Sequence, residues 1–464
     1  MSGITGYFWF IIGYLILVVA YGLYITKKYV KSDADFTTAG RRLPMWVVAG
    51  TLIATWYGGG GITGTANLVY SRGLGAGAIF EYSSIVAIAL LYFMAGKIRD
   101  AKAVTIPEVF KEKYGSIASV TGSIAIILAY VAICSYQFKG AAYVINTVTG
   151  LPTETGMLLC AVVIIALSAT GGLSSVAYTD SISALFICIS MISAVPLLIA
   201  NTGGSLSGYL AQIPADKLGL GGTKAFDTLG YGLALIFMTL GDQNMFLRFG
   251  AAKDRNAARK SVISFIIGCI VLSTLTIFLA SCAIGHLDVK PDTALIMVAA
   301  KRLPFIVGGC VLAASIAFMI TTGDSYLLSA ATNLTNDILQ PYFMKNATDR
   351  KKLITIRVLI VAMGVFSYIL IKSYDTILGV MMYAYTIYGA AISPALVAAM
   401  LWKKVTPAGG TASVLTGVAV TLIWELGLKS SFNNLDSCWV AIPASIIVLV
   451  AVSLCTKPKE ALTA

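Results

Sequence analysis

The chain has 464 residues, of which 58% are hydrophobic and only 12% are charged, and its formal net charge is +12. Soluble domains carry about 25% charged residues, so the composition excludes an ordinary soluble protein and predicts an integral membrane protein. The basic residues form short clusters between apolar runs, which indicates membrane topology and not nucleic-acid binding. With one histidine, His286, and eight cysteines at no metal-ligand spacing, we expect no zinc centre, and we expect the cysteines to be small buried side chains.

Thirteen apolar runs are predicted to cross the membrane as helices, which need about 20 residues each. The first lacks a preceding basic stretch and is longer than the apolar region of a signal peptide, so we expect it to be retained. No connection is long enough for a second domain, which predicts one membrane domain over residues 1–464. The runs are 7–25, 46–70, 74–96, 119–147, 156–170, 177–200, 228–247, 260–285, 304–331, 353–371, 376–401, 408–425 and 437–455.

The connections on one side of these spans hold 24 of the 33 lysines and arginines. By the positive-inside rule that side is cytoplasmic. We therefore predict a multi-pass protein of the cell membrane with its N-terminus outside and its C-terminus in the cytoplasm.

The second span contains four consecutive glycines at 58–61. Each costs about 0.8–1 kcal/mol relative to alanine in a helix interior. Irregular backbone at membrane depth survives only beside protein or a water-filled cavity. The run therefore predicts an interrupted helix, and a close packing notch at Gly60 and Gly64 is the alternative.

Three charged residues fall in or beside the next spans. Glu81 and Lys139 are each flanked by apolar sequence, and they either pair with each other or line a solute cavity. Asp180 is placed at the cytoplasmic start of the sixth span. A carboxylate there is a functional candidate, or else it caps the helix N-terminus together with Thr179.

The seventh span ends in Gly-Asp-Gln-Asn at 241–244, a second interruption. If the first span is an extra leading helix, the two interruptions open successive five-helix units at 46–200 and 228–401, and 408–455 forms two peripheral helices. Paired broken helices in equivalent positions are typical of transporters built from inverted repeats, which bind solute and ion at the breaks.

The ninth span places the hydroxyls of Thr321, Thr322 and Ser325 on one helical face with Phe318. Hydroxyls and freed carbonyls together suit a desolvated alkali cation. The alternative is that these hydroxyls simply bond back to carbonyls of their own helix.

At these residues the chain resembles the sodium:solute symporter family, most specifically in segments 40–70, 171–180, 241–249 and 321–337. The resemblance implies an all-α polytopic membrane protein with the LeuT-type five-plus-five inverted-repeat fold and about 13 transmembrane helices. It also implies a sodium site formed by the carbonyls of Ala54, Tyr57 and Phe318 and the side chains of Thr321 and Thr322. Asp180, with Ser325, matches the family's second ion site or ion exit path.

The first of these segments most resembles the choline-transporter-like branch. That branch surrounds a quaternary amine with aromatic rings, whereas its cage positions in the fourth and seventh spans are Ile133 and Met245 here. The predicted solute-binding residues are Trp56, Gly58, Gly61, Glu81, Gln137, Lys139, Asp242, Gln243 and Asn244.

These features predict a sodium-coupled symporter that imports a small polar organic solute, of the amino acid, carboxylate, vitamin or amine class, by alternating access. The expected partners are the solute, Na⁺ and the lipid bilayer, with no cofactor and no obligatory protein partner. The alternatives are a proton-coupled symporter of the same fold, with Asp180 or Glu81 as carrier, and a non-transporting solute sensor. We expect no enzymatic activity, since no span carries a nucleophile and base at workable spacing.

Overall fold

The computed structural model describes residues 2–29, 38–101, 103–170, 173–201 and 204–456. Within these ranges the chain is helical and contains no β-strand, only an isolated bridge between Leu43 and Ala252. The all-α prediction is therefore confirmed.

Eighteen helices make up the body of the described chain. They are α1 (Ser2–Tyr29), α2 (Met45–Trp56), α3 (Thr65–Arg72), α4 (Leu74–Ala101), α5 (Ile106–Lys113), α6 (Ser116–Thr149), α7 (Thr153–Thr170), α8 (Leu173–Asn201), α9 (Ala225–Gly241), α10 (Gln243–Ala251), α11 (Arg255–Ser281), α12 (Ala294–Lys301), α13 (Phe305–Asn333), α14 (Asp349–Ile371), α15 (Ile377–Ala391), α16 (Ser393–Leu401), α17 (Pro407–Ile423) and α18 (Cys438–Cys455). The connection between α8 and α9 adds two short helices, Leu206–Leu210 and Ala215–Leu218.

Ten helices of the described chain are long and apolar enough to cross a membrane, and two shorter apolar helices, Met45–Trp56 and Thr153–Ala169, accompany them. The second and seventh predicted spans are not among the ten, because each is divided into two shorter helices. The number of thirteen spans stays a prediction.

The most buried helices form the centre of the bundle. The buried share of the most apolar stretch is 67% in α6, 72% in α13 and 78% in the α15–α16 pair, compared with 17% in α1. α6 packs directly on both α13 and α15. These helices therefore expose little surface, and polar residues such as Gln137 and Asn333 are buried on them.

The second predicted span is interrupted, as the glycine run predicts. α2 ends at Trp56, Tyr57 leaves helical geometry at φ −92° and ψ 33°, and a wide helical turn over Gly60–Gly64 leads into α3. The irregular part is confined to Tyr57 and Gly58, so most of the glycines are helical. A Cβ on Gly60 or on Gly64 would lie 3.1 Å or 3.0 Å from the Met381 sulfur. The packing notch is therefore also present.

The seventh predicted span breaks at Asp242, whose ψ of 116° ends α9 and starts α10. The Asp242 carboxylate accepts a hydrogen bond from the Met245 backbone N–H at 3.1 Å. Asp242 is thus the N-cap of α10, which explains why the chain resumes a helix immediately after the break.

Asp180 lies deeper than its sequence position predicts. α8 begins at Leu173, so Asp180 sits two turns inside the helix and is fully buried. Thr179 bonds back to the Ser175 and Val176 carbonyls. The interpretation of either residue as a helix cap is therefore wrong. Gly171 and Gly172 of the same motif lie outside the described residues.

The contact between α2 and α8 depends on Gly50, where an added Cβ would lie 2.6 Å from Ser181 Cα. The Ser181 hydroxyl donates to the Val47 carbonyl at 3.0 Å across the same contact. This close approach brings α8 to the helix that carries the first break.

We predict that Gly50→Ala separates α2 from α8 and lowers the free energy of unfolding by about 1–3 kcal/mol, the usual cost of overpacking. The matched control is Gly13→Ala in α1, where no atom lies within 4 Å of the added methyl group. Thermal unfolding of the purified proteins in one detergent measures the difference. Equal melting temperatures for the two variants would contradict the assigned contact.

Candidate functional site

The first break is bridged to α13 by one hydroxyl group. The Thr322 hydroxyl donates to the Ala54 carbonyl at 3.3 Å and lies 3.5 Å from the Thr55 carbonyl. A Cβ on Gly58 would lie 2.6 Å from the same hydroxyl oxygen. A glycine is therefore required at 58 if the end of α2 is to meet α13.

The neighbouring hydroxyl completes a group of oxygens. Thr321 donates to the Phe318 carbonyl at 3.3 Å and also lies beside the Asp180 carboxylate. The structure thus brings Ala54, Phe318, Thr321 and Thr322 of the predicted sodium set to one place. Tyr57 forms the break itself, and its ring lies against Gly61.

Asp180 is held by a buried network that the sequence did not reveal. Its Oδ2 accepts from the hydroxyls of Thr51 at 2.7 Å and Thr55 at 3.3 Å, and it lies 3.5 Å from Arg248 Nη2. Both members of this ion pair are at most 1% exposed. The carboxylate therefore joins α8 to α2 and α10.

Arg248 is the central residue of this network. Its Nε donates to the Thr51 hydroxyl at 2.9 Å and its Nη2 to the Ser325 hydroxyl at 3.1 Å. The predicted span boundary at 247 assigned this arginine to a cytoplasmic connection. Its place beside apolar residues in the 241–249 motif was the available signal. Ser325 contacts Arg248, which in turn pairs with Asp180.

Tyrosines satisfy the backbone at the second break. The Tyr388 hydroxyl donates to the Gly241 carbonyl at 2.8 Å, and the Gln243 backbone N–H donates to the Tyr130 hydroxyl at 2.8 Å. Tyr326 donates to Asp242 Oδ2 at 2.6 Å. The second break is thus held by α6, α13 and α15.

Gln243 and Asn244 make structural contacts. The side-chain amides of Gln243 and Asn333 exchange two hydrogen bonds, of 2.5 Å and 3.1 Å. Asn244 Oδ1 accepts from the Ser329 hydroxyl at 2.6 Å. These amides fasten α10 to α13.

Gln137 on α6 contacts the first break directly. Its Oε1 accepts from the Gly59 backbone N–H at 2.7 Å. Its Nε2 is buried and has no hydrogen-bond partner within the described ranges. Trp56, by contrast, is only half-buried at the end of α2.

Glu81 and Lys139 do not pair with each other. Both carboxylate oxygens of Glu81 accept from hydroxyls, one from Thr65 and the other from Ser273 at 2.7 Å. Lys139 donates to the carbonyls of Tyr374 at 2.7 Å and Asp375 at 2.8 Å, at the far end of α14. Pairing of the two charges, one alternative above, is therefore wrong, and Lys139 lies outside the group of residues at the breaks.

A cavity of about 620 Å³ leads from Arg248 and Ser325 to the protein surface. Asn244 and Ser329 line its inner part, and basic residues such as Lys345 line its mouth. This opening connects the Asp180 network to the side of the protein that carries the basic connections.

In the part of the chain that the structure describes, no three His, Cys, Asp or Glu side chains converge as they would to bind a zinc ion. All eight cysteines are unbridged. Cys455 is exposed and Cys188 and Cys310 are half-buried, so the expectation of burial is wrong for Cys455.

We predict that Asp180→Asn lowers the free energy of unfolding by about 3–5 kcal/mol, because Arg248 keeps a buried charge without its partner. The matched control is Asp100→Asn, which breaks a 2.9 Å pair with Arg255 whose side chains are about half exposed. Exposed pairs contribute at most about 1 kcal/mol. The double variant Asp180→Asn/Arg248→Gln should lose less unfolding free energy than the sum of the losses in the two single variants. If the losses measured by thermal unfolding simply add, the two charges are not coupled.

Comparison with known proteins extends over almost the whole chain. A sodium/proline symporter of Staphylococcus saprophyticus is 27% identical over 96% of this chain and 92% of its own length. A sodium/proline symporter of Staphylococcus aureus is 25% identical over 96% of this chain and 91% of its own length. These relatives give no support to the choline-transporter-like branch suggested by segment 40–70.

Solved structures show the same fold. A Na⁺-coupled sialic acid symporter in a substrate-bound outward-open state matches with a TM-score of 0.78 at 14% identity, over 99% of both chains. MhsT in complex with L-phenylalanine matches with a TM-score of 0.58 at 15% identity, over 88% of this chain and 98% of its own. The fold is therefore of the LeuT type. The profile of the sodium:solute symporter family matches residues 36–417, and the chain belongs to that family.

Proposed function

We propose that this protein imports a small polar organic solute together with sodium by alternating access, and that it does so in the cell membrane. The observation that carries the proposal is the contact of the Thr322 hydroxyl with the Ala54 carbonyl at the first break. The naming of its relatives as sodium/proline symporters supports the amino acid class among the candidate solutes.

The proposed sodium site consists of the carbonyls of Ala54, Tyr57 and Phe318 and the hydroxyls of Thr321 and Thr322. A monovalent cation bound there would replace hydroxyl-to-carbonyl hydrogen bonds with oxygen coordination. It would thereby join the end of α2 to α13. Asp180 and Ser325 would serve the ion's exit, since Asp180 adjoins Thr321 and Ser325 lines the cavity.

The proposed architecture has two five-helix repeats, at 46–200 and 228–401, after one leading helix at 7–25 and before two peripheral helices at 408–455. The breaks at Tyr57 and Asp242 support this division, because each falls in the first span of its repeat. Such repeats allow one bundle to move against the other around a fixed site.

Sodium entry can drive accumulation of the solute. A membrane potential of 100 mV supplies about 2.3 kcal/mol per charge, and a tenfold ion gradient supplies about 1.4 kcal/mol. One sodium ion could therefore sustain a solute gradient of several hundredfold. By linkage, sodium and solute must raise each other's affinity equally.

We place the N-terminus outside and the C-terminus inside, so the 620 Å³ cavity opens to the cytoplasm. On the opposite side a buried carboxylate joins two helices. Asp292 accepts from Asn67 Nδ2 at 2.7 Å and from the Ile377 backbone N–H at 3.2 Å, which fastens α3 to α15. Burial raises the pKa of Asp292, and its bond from Asn67 opposes that shift. The cavity and this contact support our proposal that the protein is in an inward-open conformation.

A proton-coupled symporter of the same fold is the second candidate. Glu81 favours it, because no basic side chain of the described residues pairs with this buried carboxylate. Uptake driven by a pH gradient in sodium-free buffer would support protons as the coupling ion.

We predict that the double replacement Thr321→Ala and Thr322→Ala abolishes sodium-stimulated uptake in proteoliposomes while the protein remains folded. Thr322→Ser keeps the hydroxyl and should retain most of the response. The matched control is Thr421→Ala in α17, whose hydroxyl bonds only to the Gly417 carbonyl of its own helix. Unchanged sodium dependence in the double variant would remove these residues from the ion site.

Cysteine labelling tests the orientation, in a background with Cys455→Ser. Thr332 lines the cavity. The variant Thr332→Cys should therefore react with a membrane-impermeant thiol reagent in inverted vesicles but not in intact cells. Lys372→Cys, 43% exposed beyond α14, should show the reverse. The opposite pattern would invert the proposed topology.

A further inference from the structure

Glu81 on α4 is a buried carboxylate without a countercharge. Its side chain is 3% exposed, and no basic side chain of the described residues pairs with it. Its two oxygens accept hydrogen bonds from the hydroxyls of Thr65 on α3 and Ser273 on α11. Burying a charge without a countercharge is costly, and a carboxylate at membrane depth therefore indicates a function.

Two further hydroxyls belong to the same group. The hydroxyl of Tyr57, the residue at which α2 breaks, lies beside Glu81, Ser273 and Thr276. Thr276 follows Ser273 by about one turn of α11, so both side chains lie on one face of that helix.

The hydroxyls of Tyr57 and Thr276 have no hydrogen-bond partner within the described chain, although both side chains are buried. Buried polar atoms are nearly always paired, and an unpaired one calls for a water molecule or an ion. Two such atoms beside an uncompensated carboxylate therefore indicate a ligand that the protein itself does not supply.

The chemistry of the group determines what this ligand can be. The carboxylate and the hydroxyls of Tyr57, Thr65, Ser273 and Thr276 provide oxygen atoms, which are the ligands of hard cations. One carboxylate compensates one positive charge, whereas a divalent ion would leave the buried site with a net charge. The group therefore suits a monovalent cation.

The Glu81 group is separate from the sodium site proposed above, but the two share a residue. The proposed site uses main-chain oxygens at the end of α2 and hydroxyls of α13, whereas the Glu81 group uses side chains of α3, α4 and α11. Tyr57 belongs to the first through its carbonyl and to the second through its hydroxyl. An ion beside Glu81 would thus contact the residue at which α2 breaks.

We propose that the Glu81 group is an additional sodium site, in which the carboxylate and the four hydroxyls hold the ion. This inference rests on the proposed function, because it assigns a further coupling ion to the same transporter. The ion joins α3 to α4 and α11, and so orders the helix that follows the first break. Two sodium ions per cycle would square the solute gradient that one ion can sustain.

The test uses sodium alone as the probe, on the purified full-length protein. Melting temperature is measured against sodium concentration, with N-methylglucamine keeping the total salt constant. At saturating sodium, the rise in stability per tenfold step is proportional to the number of ions that only the folded protein binds.

Glu81→Gln keeps the volume of the side chain and removes its charge, so it should lower the saturating slope by one ion. The matched control is Glu425→Gln, because the Glu425 carboxylate already pairs with Lys429 at 3.0 Å. This control should keep the full sodium response.

Thr276→Val removes one oxygen without breaking any hydrogen bond seen in the described chain. If the hydroxyl only filled a helix contact, its loss would leave the protein equally stable or more stable in every salt. As a sodium ligand, its loss should weaken sodium binding at this site at least tenfold, with no loss of stability in N-methylglucamine. The matched control is Thr228→Val on α9, which also removes a buried hydroxyl without a partner there and should keep the full sodium response.

An unchanged sodium response in Glu81→Gln would overturn the inference, and so would an unchanged response in Thr276→Val, which decides alone if Glu81→Gln does not fold. Loss of a pH response in Glu81→Gln, with the sodium response intact, would assign the group to a proton and also overturn the inference. The double variant Thr321→Ala/Thr322→Ala is a separate readout. A full sodium response there counts against the first sodium site, and hence against the proposed function, while the Glu81 and Thr276 variants still decide the additional site.

Discussion

The structure depends on the hydrogen bonds that satisfy backbone groups where two helices break inside the membrane. Hydrocarbon offers these groups no partner, so side chains of the central helices must supply them. At the first break, the Thr322 hydroxyl donates to the Ala54 carbonyl, and the Gln137 side chain accepts from the Gly59 N–H. At the second break, the Tyr388 hydroxyl donates to the Gly241 carbonyl. These three side chains belong to α13, α6 and α15, which are the most buried helices.

This constraint links stability to function. The groups that hold a broken helix are polar atoms placed in a dry interior, and such atoms suit an ion or a charged solute as well as a peptide group. A cation at the first break would exchange one set of oxygen contacts for another. Ion binding could thus change how firmly α2 is joined to α13 without unfolding either helix.

Local features of the sequence predicted the two breaks and the hydroxyl pair, because glycines, an Asp-Gln-Asn run and adjacent threonines are visible in the chain itself. The family followed from the same segments. The depth of Asp180, its pairing with Arg248 and the convergence of tyrosines from three helices on the second break could not be predicted. They depend on which helix faces pack together, and periodicity within one helix does not determine that. For the same reason the pairing of Glu81 with Lys139, plausible from their isolation in apolar sequence, was wrong.

The most direct test of the central claim is a high-resolution cryo-EM map of the protein in lipid nanodiscs, recorded in sodium and in N-methylglucamine. The account predicts a density peak, present only with sodium, in contact with the Ala54 carbonyl and the Thr322 hydroxyl. A sodium-dependent peak elsewhere, with the Thr322 hydroxyl still bonded to Ala54 in both maps, would contradict it.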